Sequence, residues 1–249
     1  MDLYGLIGYP LKHSFSRSFF NEKFAAEKIN AEYRNFEIPS IEDFMEVIES
    51  NPELRGLNVT IPYKEKVIPY LDSLDSSASE IKAVNVIKIT HTKDKLHLTG
   101  YNSDIIGFTE SISPLLKPHH RKALILGTGG ASKAVDHGLR QLGIETLFVS
   151  RKEGKERSIT YDKVTPELLK EYTVIVNTTP LGMFPIEDVC PDLPYEALGK
   201  EHLLYDLIYN PENTLFMKNG AKQGATVKNG LEMLLLQAYA AWDIWQGKK

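Results

Sequence analysis

Near the start of the chain, several short segments carry polar side chains in places where packing alone gives them no purpose. Gly8-Tyr9-Pro10-Leu11-Lys12-His13-Ser14-Phe15-Ser16 offers two closely spaced hydroxyls, and Asn58-Val59-Thr60-Ile61-Pro62-Tyr63-Lys64 offers an amide, a hydroxyl and an ammonium. Ala83-Val84-Asn85 and Gly100-Tyr101-Asn102-Ser103-Asp104 add further amides and a carboxylate. Each segment lies at or just beyond the end of a predicted strand, where open α/β sheets bind ligands. Singly, each has a plainer use: Ser14 or Ser16 can cap a helix, Lys64 can be a solvated first-turn lysine, and Asp104 can be an N-cap before Ile105-Ile106. Together, Ser14, Ser16, Thr60, Lys64, Asn85 and Asp104 form a set suited to a small polyhydroxylated acid. His13 reads as structural, because no second histidine stands at metal-ligand spacing, and no metal site is expected.

A different chemistry is written in Gly127-Thr128-Gly129-Gly130-Ala131-Ser132, a variant of the glycine fingerprint for dinucleotides. It follows the apolar run Lys122 to Leu126 and opens a helix with Val135, Leu139 and Leu142 on one face, which stops at Gly143. Glycines there let the backbone approach a pyrophosphate, and the helix start offers free N–H groups and a positive dipole end. The next strand, Thr146 to Val149, ends at Ser150-Arg151-Lys152, with no acid before Glu153. An acid would suit the ribose hydroxyls of NAD, whereas two cations suit a 2′-phosphate, so NADP is favoured.

The elements that must carry these groups are read from hydrophobic periodicity. Strands are predicted at Leu3 to Tyr9, Tyr33 to Ile38, Leu54 to Ile61, Val84 to Thr90 and Lys95 to Thr99, the last two forming a hairpin that turns at Thr92-Lys93-Asp94. Helices fall between them, one with Phe15, Phe19, Phe20 and Phe24 at helical spacing and one marked by Phe44, Val47 and Ile48. This alternation predicts a mostly parallel sheet with an antiparallel edge. Later strands are expected at Val174 to Asn177 and Leu203 to Leu207, with a helix from about Glu212 to Gln223 and a final helix from about Gly230. That last helix is apolar nearly all round and is expected to be buried.

Composition narrows the class. At 249 residues, with 42% hydrophobic and 25% charged residues, the chain has ordinary globular values. Its 29 basic and 33 acidic residues give a net charge of −4, which is no footprint for nucleic acid. Cys190 has no second cysteine to pair with, so a reducing cytoplasm is expected. The N-terminus lacks a signal-peptide pattern, and Leu231 to Trp245 is interrupted by Glu232, Gln237 and Asp243, so no membrane partner is expected.

Taken in order, the four segments closely resemble the shikimate dehydrogenase family. The resemblance continues through the glycine loop, Asn177-Thr178-Thr179-Pro180-Leu181-Gly182-Met183, Tyr205-Asp206-Leu207-Ile208-Tyr209-Asn210-Pro211 and Gly230-Leu231-Glu232-Met233-Leu234-Leu235-Leu236-Gln237-Ala238. It implies an α/β protein with an N-terminal substrate domain (1–101 and 231–249) and a Rossmann-type NADP-binding domain (102–230), the C-terminal helix packing back on the first. The active site is expected in the cleft between the domains. The implied reaction is the reversible reduction of 3-dehydroshikimate to shikimate by NADPH, in aromatic amino-acid biosynthesis.

By the same resemblance, Ser14 and Ser16 bind the substrate carboxylate, while Thr60, Lys64, Asn85, Asp104, Tyr209 and Gln237 surround its ring and hydroxyls. An amide such as Gln237 in a buried helix needs a partner, and a substrate hydroxyl supplies one. Gly127, Thr128, Gly129, Gly130, Ala131, Ser150, Arg151 and Lys152 hold the cofactor, with Leu207, Gly230 and Met233 near the nicotinamide. Hydride delivery to a ketone builds negative charge on its oxygen, so Lys64 is expected to act as the acid–base group with Asp104 orienting it. Lys82, Phe20 and Ser103 replace the family's usual glycine, histidine and threonine, and Ser150-Arg151-Lys152 replaces Asn-Arg-Thr. Alternatives are a quinate/shikimate dehydrogenase using NAD, a non-catalytic NADP-binding regulator of the same fold, and a folate-type dehydrogenase, which the paired serines disfavour. A monomer or homodimer is expected.

Overall fold

A strand covered on both faces needs a nearly unbroken apolar run, and the first element has one. In the computed structural model, which describes residues 1–11, 15–92, 95–152 and 156–248, β1 (Asp2–Gly8) is buried from Leu3 onward. The chain forms two compact units, Met1–Ser103 with Ala238–Lys249, and Asp104–Gln237.

The first unit continues through α1 (Phe15–Ala26), β2 (Ala31–Glu37), α2 (Phe44–Glu49), β3 (Leu54–Val59), β4 (Ser73–Leu74), α3 (Ser76–Ile81), β5 (Val86–His91) and β6 (Leu96–Tyr101). Its sheet has the order β2-β1-β3-β5-β6-β4. The expected hairpin is β5–β6, but β5 runs antiparallel to β3 as well as to β6, and β4 adds to β6 in parallel. The reversed strand β5 therefore lies inside the sheet, flanked by β3 and β6, and the edge is the two-residue β4, which is too short to leave a periodic signal. Of the expected turn, Thr92 is described, its N–H donating to the Lys95 carbonyl at 2.9 Å, while 93 and 94 lie outside the described residues.

The second unit carries α4 (Ser103–Ile112), β7 (Lys122–Leu126), α5 (Gly130–Gln141), β8 (Glu145–Ser150), β9 (Ser158–Thr160), α6 (Pro166–Glu171), β10 (Val174–Asn177), β11 (Leu203–Asp206), α7 (Leu215–Lys222), β12 (Thr226–Lys228) and the start of α8 (Leu231–Trp245). Every pairing in its sheet, β12-β11-β10-β7-β8-β9, is parallel. The chain moves outward from β7 to β9 and then returns to β10 on the other side of β7, which makes β7/β10 the switch point where such folds bind ligands. On α5, Val135 and Leu139 are buried as expected, but Leu142, the residue after the helix, is 38% exposed. Parallel strands usually need a crossover of a dozen residues or more, yet only residues 151–157 join β8 to β9.

Helix α8 departs from its expected all-round burial: Leu231 and Tyr239 are 43% and 49% exposed. Its last turns nonetheless pack into the first unit. Trp242 and Trp245 join Tyr4, Phe20, Phe24 and Tyr33 in one aromatic core, and the Trp245 indole N–H donates to the Ile87 carbonyl at 3.0 Å. Gly56 makes room, since a Cβ there would sit 2.2 Å from Trp245 Nε1.

Candidate active site

Backbone hydrogen bonds gather the polar segments of the first unit at the carboxyl ends of β1 and β3. The Tyr9 N–H donates to the Ile61 carbonyl at 3.1 Å and the Thr60 N–H to the Ile7 carbonyl at 2.9 Å. The Val59 N–H donates to the Asn85 carbonyl at 2.9 Å, and the Val84 N–H to the Lys64 carbonyl at 2.7 Å. Gly8 is required by closeness: a Cβ there would stand 2.4 Å from the Thr60 methyl. Thr60, Lys64 and Asn85 are thus neighbours although the sequence separates them. Ser16 lies in the first turn of α1, half-buried, and hydrogen-bonds the buried Tyr33 hydroxyl. Ser14 lies outside the described residues.

Asn85 is almost fully buried, and its side chain is already engaged. Its Oδ1 accepts the Ser103 N–H at 2.7 Å, and its Nδ2 donates to the Ser103 hydroxyl at 3.1 Å. Asn58 bridges the Tyr33 hydroxyl, which donates to Asn58 Oδ1 at 2.7 Å, and the Asn85 carbonyl at 3.3 Å. Three of the four family departures have local settings here. Ser103 holds Asn85, Phe20 stacks on Tyr33 with centroids 4.8 Å apart, and Lys82 has φ 53°, the left-handed conformation that a glycine adopts most easily.

In the second unit, a cavity of about 680 Å³ opens at the carboxyl ends of β7, β8, β9 and β10. It is lined by Gly127, Thr128 and Gly129 on one side, by Ser150, Arg151 and Lys152 on another, and by Thr178 to Leu181 opposite. Gly127 has φ 103°, and a Cβ there would meet the Thr178 hydroxyl at 2.9 Å, so only glycine fits. Around Gly129 and Gly130 a Cβ would meet nothing within 4 Å, which leaves the start of α5 open to a ligand. Ser132, at the third fingerprint position, is buried, with its hydroxyl donating to the Gly129 carbonyl at 2.6 Å. An open helix start facing two exposed cations fits the phosphates of NADP.

The wall formed by residues 178–181 is held from behind by Asp206, which is completely buried. Its Oδ1 accepts from the Asn177 amide at 3.0 Å and the Ile208 N–H at 3.1 Å, and its Oδ2 from the Thr214 hydroxyl at 2.7 Å. Asn177 Oδ1 in turn accepts from the Thr179 N–H at 3.0 Å and the Thr179 hydroxyl at 2.7 Å. Burial pushes the Asp206 carboxyl up to about 6, against the pull of these donors.

Of the remaining predicted positions, Leu207 and Gly230 meet closely: a Cβ on Gly230 would lie 2.1 Å from the Leu207 carbonyl oxygen. Met233 is buried in the core of this unit, and Tyr209 is 43% exposed. Asp104 lies in the first turn of α4, and Gly107 one turn on crosses α8, where a Cβ would come within 2.9 Å of the Gln237 Cβ. Gln237 is only half-buried, and its amide donates to the Leu234 carbonyl at 3.0 Å, so its burial alone demands no ligand. Gly130 and Ala131 begin α5 without lining the cavity. The sequence reading gave no role to Tyr161 or to Thr178 to Leu181, all of which line it. The signal for the latter was present in a polar run directly after a buried strand.

Among the described residues, no cluster of His, Cys, Asp or Glu could hold a metal, and no helix is long and apolar enough to cross a membrane. Residues 6–87 match the family model of the shikimate dehydrogenase substrate binding domain. The chain is 38% identical to a protein of Carboxydothermus hydrogenoformans named shikimate dehydrogenase (NADP(+)), over 98% of this chain and 91% of that one. The Listeria monocytogenes shikimate 5-dehydrogenase in complex with shikimate and NAD superposes with a TM-score of 0.89 at 27% identity, covering 100% of this chain and 93% of the other. The Thermus thermophilus enzyme in complex with NADP(H) and shikimate gives 0.85 at 29% identity, covering 99% and 94%. Likeness at this level, along essentially the whole chain and through both units, makes this protein a member of the shikimate dehydrogenase family.

Proposed function

We propose that this protein is a shikimate dehydrogenase that interconverts 3-dehydroshikimate and shikimate with NADP(H). The observation that carries the reading is the convergence of the Gly8, Thr60, Lys64 and Asn85 segments at one set of strand ends, in a chain related over 98% of its length to an enzyme of that name. Bound NADPH supplies the hydride. The residues of the chain bind and orient. Ser14 and Ser16 hold the substrate carboxylate, and Thr60, Asn85, Tyr209 and Gln237 bind its hydroxyls and ring. Lys64 donates a proton to the oxygen that gains negative charge during reduction and takes it back in the reverse direction, while Asp104 orients substrate and lysine. Gly127 to Ala131 hold the pyrophosphate at the start of α5, Ser150 to Lys152 take the 2′-phosphate, and Leu207, Gly230 and Met233 bound the nicotinamide.

The test is a comparison of shikimate and quinate oxidation with NADP and with NAD, followed by reduced-cofactor absorbance. Shikimate with NADP is expected to turn over fastest, and absence of shikimate turnover overturns the reading. Lys64→Ala is expected to lower kcat at least about 100-fold, the lower range for loss of an acid–base group. Near-normal turnover in that variant removes Lys64 from its role.

A further inference from the structure

Among the described residues lining the dinucleotide cavity, Tyr161 is the only aromatic one. It follows β9 directly, and β9 is registered on β8 so that Thr160 stands opposite Ser150. Tyr161 therefore leaves the sheet beside the point where Arg151 and Lys152 leave it. Only seven residues, 151–157, separate β8 from β9, and a single turn of 3-10 helix, Tyr161–Lys163, follows β9. The Tyr161 ring packs against the core of the unit while also facing the cavity, so its position is braced. Arg151 lies close enough for its charge to act on the Tyr161 phenol.

The chemistry of the ligand decides what meets this ring. With the pyrophosphate at the glycine turn and the 2′-phosphate at Arg151 and Lys152, the adenosine ribose would sit on the β8 side of the switch point, and the base attached to it would reach outward toward β9. The nicotinamide half runs the other way, toward β10 and β11, where Leu207 and Gly230 stand. We propose that Tyr161 is a cofactor-binding residue, the aromatic face on which the adenine ring of NADP(H) stacks. This rests on reading the cavity as the dinucleotide site.

The test uses the full chain and adenosine 2′,5′-bisphosphate, which keeps the base and the 2′-phosphate but lacks the nicotinamide half. Calorimetric titration of wild type, Tyr161→Phe and Tyr161→Leu is paired with NMR of the adenine H2 and H8 protons. Tyr161→Phe is expected to bind within about twofold of wild type, and Tyr161→Leu about tenfold more weakly, as for loss of one base–aromatic stack. Leucine preserves apolar bulk against the core, so folding is expected to survive. In wild type the adenine protons shift upfield under the ring current, and in Tyr161→Leu that shift disappears. Binding by wild type without an upfield shift, or equal binding by the leucine variant, overturns the Tyr161 assignment and leaves the cavity reading intact. Failure of wild type to bind the bisphosphate overturns both. Should the leucine variant not fold, the wild-type proton shifts decide the matter alone.

Discussion

Asp206 accepts three hydrogen bonds with no surface of its own exposed, so its charge is opposed by burial and supported by its neighbours. Burial prevails, and the carboxyl is pushed up to about 6 from its ordinary value of 3.8. A folded value above the unfolded one means that the folded state holds the proton more tightly. The stabilising contribution of the protonated form is complete below pH 3.8 and is lost as pH rises through about 6. Asp206→Asn cannot titrate, so wild type is expected to lose about 1 kcal/mol relative to this variant between pH 5 and pH 7. Urea unfolding of both proteins at the two pH values measures it, and parallel stabilities exclude the shift. This residue sat in view within Tyr205-Asp206-Leu207, yet nothing in the sequence disclosed its role. Of its partners, Asn177 is brought by the pairing of β10 with β11, while Ile208 and Thr214 come from the turn and the helix start that follow it. Lys64 and Thr60 could be picked out only in company, because each alone has a plain structural use and it is the ordered series of polar segments after apolar runs that sets them apart.

Elements were legible where they were long or fully buried. Strand β7 and the helix after it read directly from the apolar run Ala123 to Leu126 followed by glycines, since both faces of that strand are covered. The edge strands β4, β9 and β12, of two or three residues each, are too short to show a period, and pairing alone defines them. Helix α8 misled for the opposite reason: its composition is apolar on every side, yet different stretches face different surroundings. Its start approaches α4 at Gly107, where an added Cβ would lie 2.6 Å from the Met233 carbonyl oxygen. Gly107→Ala is expected to force the two helices apart and to cost about 1–3 kcal/mol, as overpacking at a backbone contact does. A lowered urea midpoint with an unchanged m-value reports it, and an unchanged midpoint refutes the close crossing.

At the scale of the whole molecule, the first unit is assembled from both ends of the chain, 1–103 and 238–249, while the second is continuous. The motif order suggested this return of the C-terminus. The sequence could not show how fully the last turns share in the core, because Trp242 and Trp245 acquire their meaning only against Tyr4, Phe20 and Phe24. A chain ending at Gln237 is expected to lose shikimate oxidation and the near-ultraviolet circular dichroism of that aromatic core, while still binding adenosine 2′,5′-bisphosphate. Retained oxidation refutes the dependence. The same arrangement sets an order for synthesis on the ribosome. The segment made first cannot complete its interior until the final tryptophans emerge, whereas the segment made in between has every residue it needs and can settle while translation is still under way.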